Sequence, residues 1–221
     1  MFKISKELLV ILLFLSACST IKDSPKYQLS AGQYQFKQRG ENYRKAFVTI
    51  EEDSLRIFLP EKPKEAFIPR YSKDQFFLKP SFDVDVITIP FKYRPIASGL
   101  PRQLTTDFNG NVFIGYRGDR FRVRFKETPA GWIKSFKHRA LSVGVFGGIG
   151  STSVTPSTTN YQTTDEYSGL VLSRGLAFMV GVNNLTVGIG VGWDFLTDRD
   201  KSIWIYQNKA WYGLTLGLNL N

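Results

Sequence analysis

One histidine with two nearby serines is the combination in this chain that could support nucleophilic catalysis. His138 lies between Ser135 and Ser142. A serine–histidine relay needs hydrogen-bond contact between the two side chains and a third polar group that orients the histidine. Ser142 can share a strand face with His138, but four residues of strand separate them by ~13 Å, and no nucleophile-elbow motif occurs. We therefore predict no catalytic site, and we interpret His138 as a basic interfacial residue beside Lys137 and Arg139.

Three arginines that alternate with apolar residues could attract an anion. Arg120, Arg122 and Arg124 share one face of a predicted strand. The opposite face carries Phe121, Val123 and Phe125. If that apolar face contacts lipid, the arginines form a lumen-facing basic cluster whose buried charges need acidic partners. The candidate partners are Asp107, Glu127 and Asp194. Two interpretations stay open: an anion-attracting lumen or rim, and an internal plug of salt bridges.

The tripeptide Arg117-Gly118-Asp119 is a known adhesion motif, but Gly-Asp is also common in hairpin turns. We predict a turn at Gly118-Asp119.

The sole cysteine follows an N-terminal sequence that is typical of secreted chains. Lys3 and Lys6 precede an apolar stretch from Leu8 to Leu15, and small residues lead to Cys18. A positive segment, a short apolar segment and small residues before a cleavage site form a secretory signal peptide. The alternative is an uncleaved anchor, but a spanning helix needs ~20 apolar residues.

The tetrapeptide Leu15-Ser16-Ala17-Cys18 resembles the lipobox of bacterial lipoproteins. The resemblance implies cleavage after residue 17 and acylation of Cys18, for example with palmitate, which makes Cys18 the predicted lipidation site. An acylated Cys18 leaves no thiol for a disulfide, a metal site or cysteine catalysis. One histidine also excludes a multi-histidine metal site within one chain. We therefore expect no cofactor and no metal.

The charge of the chain is unevenly distributed. The 221 residues carry a net charge of +10. Residues 1–139 contain 25 Lys and Arg against 14 Asp and Glu, whereas residues 140–221 contain 4 against 5. A basic surface suits an anionic neighbour, and secretion and lipidation of the chain argue against nucleic acid as that partner. We expect outer-membrane lipids, lipopolysaccharide among them, as partners, with a merely solvated basic surface as the alternative.

The apolar pattern has a period of two, which indicates β-strands. The predicted strands are 32–37, 45–51, 54–59, 84–95, 105–117, 120–127, 139–152, 167–182, 185–197 and 208–220. Residues 60–74 contain three prolines and are predicted to be a loop. Glu52-Asp53 and Asn183-Asn184 are predicted hairpin turns, and one turn of helix is considered near residues 132–137.

The polar face of these strands distinguishes two architectures. Val187, Ile189 and Val191 alternate with glycines at 188, 190 and 192. Glycine weakens a solvated strand, but it suits the inside of a narrow barrel. The aromatic residues near the strand ends are predicted to form an interfacial girdle; they are Trp193, Trp204, Tyr206, Trp211 and Tyr212. The pattern favours a membrane barrel, with a soluble β-sandwich or lipocalin-like domain as the alternative.

Several segments of residues 84–221 resemble the strands of small Gram-negative outer-membrane β-barrels. These segments are 113–117, 188–194, 204–207 and 211–218. The resemblance implies a fold and a location in the cell outer membrane, not an activity.

The predicted protein is therefore an all-β, antiparallel, up-and-down membrane β-barrel of about eight strands. Residues 1–17 form a lipoprotein signal, 18–30 a tether, 31–83 a β-rich segment and 84–221 the barrel. We expect a non-enzymatic structural, adhesive or interaction role in the cell envelope, since so small a barrel is filled by side chains. The alternatives are a soluble, lipid-tethered periplasmic domain that binds an apolar ligand and an outer-membrane lipid-modifying enzyme.

Overall fold

The computed structural model describes residues 28–51, 54–67, 74–129, 131–182 and 185–218. The strands are β1 (Gly32–Gln38), β2 (Arg44–Glu51), β3 (Ser54–Leu59), β4 (Lys62–Phe67), β5 (Gln75–Arg94), β6 (Gln103–Thr105), β7 (Asn109–Thr128), β8 (Gly131–Val154), β9 (Tyr167–Val182), β10 (Leu185–Leu196) and β11 (Ala210–Leu218). All belong to one antiparallel sheet, and the described residues contain short 3-10 turns but no α-helix. The predicted all-β, antiparallel class is confirmed.

Six strands between residues 75 and 218 form a partial ring. β5, β7, β8, β9, β10 and β11 pair in that order, and β11 pairs again with β5. The last pairing places Tyr212 opposite Tyr93 and Leu214 opposite Phe91. We call these six strands the ring strands.

The ring holds six strands rather than about eight for two reasons. The segments predicted at 105–117 and 120–127 are one continuous strand, β7, and β1 to β4 pair outside the ring.

Three ring strands continue into a second part of the sheet. β5, β7 and β8 have 20, 20 and 24 residues, against 9 to 16 in the other ring strands. β1 pairs with the beginning of β5, where Gln38 lies opposite Gln75, and β2, β3 and β4 follow outward. We call β1 to β4 with the adjoining halves of β5, β7 and β8 the N-terminal sheet. The predicted boundary between residues 83 and 84 lies inside β5.

Local predictions fail where the long strands have neighbours on both sides. Gly118 and Asp119 lie in the middle of β7, opposite Leu141 and Ala140 of β8, so the predicted turn is wrong. β8 also includes residues 132–137, so the turn of helix suggested there is wrong, and β4 lies within the predicted loop 60–74. Pairing across the sheet supplies backbone hydrogen bonds that local sequence does not reveal. The predicted turns at 52–53 and 183–184 lie outside the described residues, although the strands flanking each are paired.

Three apolar clusters fill the molecule. The cluster of the N-terminal sheet contains Tyr34, Phe36, Val48, Ile57, Phe77, Phe121 and Val123. The cluster inside the ring contains Ile87, Ile89, Phe113, Phe146, Ala177, Met179 and Trp211. The third covers the end of the ring where the longer connections lie, and contains Val154, Val171, Leu196, Trp204, Ile205 and Tyr206.

Candidate functional site: buried charges inside the ring and a basic outer face

The ring strands bury charge and expose apolar side chains. On β7, Tyr116 is 74% exposed, whereas its neighbour Arg117 is 2% exposed. The same alternation runs around the ring. Other exposed apolar residues are Val84, Val86, Val112, Ile114, Leu141, Val143, Val145, Leu172, Leu176, Phe178, Val180, Ile189 and Leu214. We call this surface the apolar outer face.

A first charge network lies inside the ring near its longer connections. The Lys92 ammonium donates to both carboxylate oxygens of Asp194 at 3.1 Å, and Arg94 donates to the same carboxylate at 2.5 Å. Ser173 donates a further hydrogen bond to Asp194 at 2.7 Å. All four side chains are buried. One carboxylate therefore serves two buried cations, an arrangement that offsets part of the cost of burying all three charges.

A second charge network lies inside the sheet near the short β9–β10 connection. Arg117 donates to Asp119 at 2.9 Å and lies 3.8 Å from Asp83. His138 Nε2 lies 2.8 Å from Asp119, and Ser142 donates to Asp83 at 2.8 Å. His138 is thus a buried partner of a carboxylate, and the prediction of an interfacial His138 is wrong. His138 and Ser142 share the inward face as predicted, but they bind different carboxylates.

Close packing separates the two networks. A Cβ added at Gly190 would lie 3.2 Å from Cγ2 of Thr215 and 3.5 Å from Cε1 of Phe146. A Cβ at Gly192 would collide with the ring of Trp211, and one at Gly188 with the carbonyl of Phe178. Glycine in β10 therefore permits walls and side chains to approach, which is the role that the alternation predicted for these positions.

Aromatic side chains cover the first network instead of forming an outer girdle. The Arg94 guanidinium lies 5.4 Å from the ring centre of Trp204 and 5.0 Å from that of Tyr206. The Lys92 ammonium lies 4.7 Å from the centre of Trp211. Trp204, Tyr206 and Trp211 are buried, so the girdle prediction is wrong for these three. Their rings contact buried cations, and such a contact is stronger when it is desolvated than at an exposed site.

The three predicted arginines lie on the outer side of the N-terminal sheet. Phe121 and Val123 are buried in its core, so Arg120, Arg122 and Arg124 point away from it. The expectation of a lumen-facing cluster is therefore wrong. One face of β7 points inward along the whole strand. In the N-terminal sheet this inward face is apolar, so the arginines of the opposite face point outward.

Asp74 neutralises two of these arginines. It accepts hydrogen bonds from Arg122 at 2.5 Å and from Arg124 at 2.6 Å. The bond from Arg124 is the main cause that holds the pKa of the Asp74 carboxyl well below its usual range, with a smaller contribution from Arg122 against the opposing effect of burial. Of the three predicted partners, Asp194 pairs with Lys92 and Arg94 instead.

Sequence reasoning missed Lys92, Arg94, Asp74, Asp83 and Asp119 as network members. A signal existed for two of them, because Lys92 and Arg94 alternate with the apolar residues Phe91 and Tyr93 near the end of β5. Their partners come from distant strands, which one sequence does not identify. Cys18 lies outside the described residues.

Comparisons with known protein families, with curated proteins and with solved structures found no match. Among the described residues, no group of three or more His, Cys, Asp or Glu side chains is placed to hold a metal ion. Nor do those residues include a helix long and apolar enough to cross a membrane.

Proposed function

We propose that the chain is an outer-membrane lipoprotein whose ring strands close into a membrane-embedded β-barrel. Its role is structural, adhesive or interactive rather than enzymatic. The interior is filled by the two charge networks and the apolar cluster between them, which argues against an open pore. Cys18 carries the lipid, and the N-terminal sheet lies outside the bilayer.

The inverted polarity of the ring strands carries this proposal. Soluble monomers rarely expose a contiguous apolar patch larger than a few hundred Å². Here large apolar side chains are exposed on all six ring strands, while Lys92, Arg94, Arg117 and Asp194 are almost fully buried. Apolar residues outside and polar residues inside are the arrangement that a bilayer requires of a barrel.

The height of the apolar outer face suits a bilayer. On β9 it extends over the thirteen residues from Leu170 to Val182, or ~40 Å of strand, which a ~40° tilt reduces to ~30 Å. Arg174, exposed on this face opposite Trp193 of β10, lies four residues from Leu170, or ~10 Å from that end of the face at the same tilt. A long arginine side chain near an interface can extend its charge to the headgroups.

The separate partners of Ser142 and His138 support the absence of a serine hydrolase. Ser142 binds Asp83, whereas His138 binds Asp119. A relay would require the histidine to accept the serine proton.

Membrane fractionation of cells that express the full chain tests the proposal. We expect the protein in the outer-membrane fraction, resistant to extraction by salt and carbonate, with heat-modifiable migration on a gel. A Cys18→Ala variant should lose lipid labelling and signal cleavage, and Ser16→Thr is a matched control that retains the cysteine. Wild-type protein that is released by salt as a soluble species would overturn the barrel.

A groove in the N-terminal sheet favours a second candidate, the binding of an apolar ligand. The groove has a volume of about 940 Å³, and its lining includes Tyr34, Phe47, Phe58, Leu59 and Pro60. An environment-sensitive apolar dye tests this function. Wild-type protein should bind the dye, and Phe47→Gln should weaken that binding while Ile96→Gln, a change at an exposed residue in the connection that follows β5, should not.

A further inference from the structure

Two like-charged pairs face each other on the outer side of β7 and β8. Arg120 lies directly opposite Arg139, and the next outward-facing pair is Arg122 with Lys137. Arg120, Lys137 and Arg139 are exposed, and Arg122 is partly exposed. Like charges directly opposite on a sheet destabilise it, so an anion near these pairs would be stabilising. We call these four residues the basic quartet.

Among the described residues, an acidic side chain neutralises one member of the basic quartet, and the other three have no acidic partner. Asp74 binds Arg122. In the part of the chain that the structure describes, no ion pair involves Arg120, Lys137 or Arg139. The Arg120 guanidinium lies 4.9 Å from the ring centre of Phe76. Arg120 remains exposed despite this contact, so its N–H groups can donate to a ligand from solution.

The basic quartet borders the apolar outer face. Along β8 the outward residues change from Val143 and Leu141, which are 60% and 55% exposed, to Arg139 and Lys137. Two residues, ~7 Å of strand, separate Leu141 from Arg139. On β7 the same change occurs between Tyr116 and Arg120.

We propose that Arg120, Lys137 and Arg139 bind the phosphate of an anionic phospholipid. The inference rests on the proposed function, because the acyl chains would lie along the apolar outer face while the headgroup reaches the basic quartet. Guanidinium groups bind phosphate oxygens in pairs of parallel hydrogen bonds. Continuity of an apolar face with adjoining cations suits a phospholipid better than an acidic protein, which would not cover the apolar side.

Titration calorimetry of the mature full-length protein in neutral maltoside micelles tests this site. The ligand is phosphatidylglycerol dissolved in the same micelles, with phosphatidylcholine as the zwitterionic reference. Wild-type protein should bind phosphatidylglycerol more tightly, and the difference should fall as salt rises. The Arg120→Gln/Arg139→Gln variant should lose about 25-fold in affinity, since each juxtamembrane cation contributes about fivefold.

The matched control is Lys126→Gln/Lys134→Gln, which removes the same charge from the same two strands. Arg120 and Lys126 are six residues apart, or ~20 Å of strand. The affinity of this control variant for phosphatidylglycerol should stay within about twofold of that of the wild-type protein. Heat-modifiable migration of both variants shows whether they fold; a misfolded double variant is replaced by Arg139→Gln alone, with an expected loss of about fivefold.

The outcomes separate the lipid site from the barrel. Equal loss in the quartet and control variants, or equal affinity of wild-type protein for the two lipids, overturns the lipid site. Tight binding of lipopolysaccharide with no preference for phosphatidylglycerol overturns the assignment to phospholipid. Protection of the ring strands from protease in phosphatidylcholine vesicles tests insertion separately, because the acyl chains on Cys18 could attach the protein to a vesicle without insertion. Failure to insert, together with quartet-dependent binding of phosphatidylglycerol, would reject the barrel and retain a surface lipid site.

Discussion

Lys92 and Asp194 are 102 positions apart in the chain, yet the Lys92 ammonium lies 3.1 Å from both oxygens of the Asp194 carboxylate. Their strands, β5 and β10, are not neighbours, because β11 pairs with both. The contact therefore crosses the interior of the ring. Arg94 shares the same carboxylate, which makes Asp194 the anion on which two buried cations depend.

Asp194→Asn should destabilise the protein by about 3–5 kcal/mol, because two buried cations would lose their charged partner. Chemical denaturation in micelles, followed by heat-modifiable migration, measures the loss. Asp165→Asn is the control. Asp165 pairs with Arg199 on the surface, with side chains 55% and 65% exposed, and such a pair contributes about 0–1 kcal/mol. Equal midpoints for the two variants would contradict the role of Asp194.

Gly190→Leu should overpack the interior and cost about 1–3 kcal/mol. A Cβ at this position already lies 3.2 Å from Thr215, so the larger side chain must displace the facing wall. Gly110→Leu provides the control, since nothing lies within 4 Å of a Cβ there. Denaturant midpoints should fall for the first variant only. A Gly190→Leu protein with the parental midpoint would indicate an open face beside β10.

The sequence predicts the features of this fold that depend on the two-residue period of apolar side chains along a strand. Inward Gly190 and outward Ile189 follow from alternation alone, as does the shared face of His138 and Ser142. Alternation does not indicate whether lipid, water or packed protein covers a given face of a strand. Phe121 and Phe113 therefore look alike in sequence, although one packs in the N-terminal sheet and the other inside the ring.

The candidate site was less predictable than the strands, because its partners come from distant strands. The sequence assigns Asp194 to the wrong arginines and does not single out Lys92 as its partner. The structure shows that β7 runs through Gly118 without a turn, and this continuity places Arg120 in the N-terminal sheet. The preference of Gly-Asp for a turn is local, and it cannot outweigh the pairing of β7 with a strand on each side.

Asp74 should make stability depend on pH in the acid range. Its pKa is lowered in the folded protein, mainly by the hydrogen bond from Arg124, while the unfolded value is about 3.9. The unfolded state therefore binds the proton first as pH falls. The contribution to stability is complete above about pH 5 and is lost as pH drops below the unfolded value toward the folded one.

Urea unfolding at a series of pH values measures this effect. The free energy of unfolding of wild-type protein should fall more steeply below about pH 4 than that of Asp74→Asn. Arg120→Gln removes a neighbouring arginine that makes no ion pair with Asp74 among the described residues, so it should keep the wild-type slope. A steep slope that persists in Asp74→Asn would assign the effect to other carboxylates.

Ile189→Arg tests which medium covers the apolar outer face. Ile189 is 67% exposed and lies opposite Phe178 of β9 and Leu214 of β11, both of which are also exposed. In a bilayer, arginine costs about 2–4 kcal/mol at the midplane and less toward the interfaces, whereas on a water-covered face the same change stays within about 0.5 kcal/mol. Ile96→Arg is the control, because Ile96 has nearly the same exposure, 66%, but lies in the connection that follows β5. Unfolding in phospholipid vesicles should show the loss for Ile189→Arg and not for Ile96→Arg. Two variants with the parental free energy of unfolding would mean that water covers this face, and the soluble, lipid-tethered domain would replace the barrel.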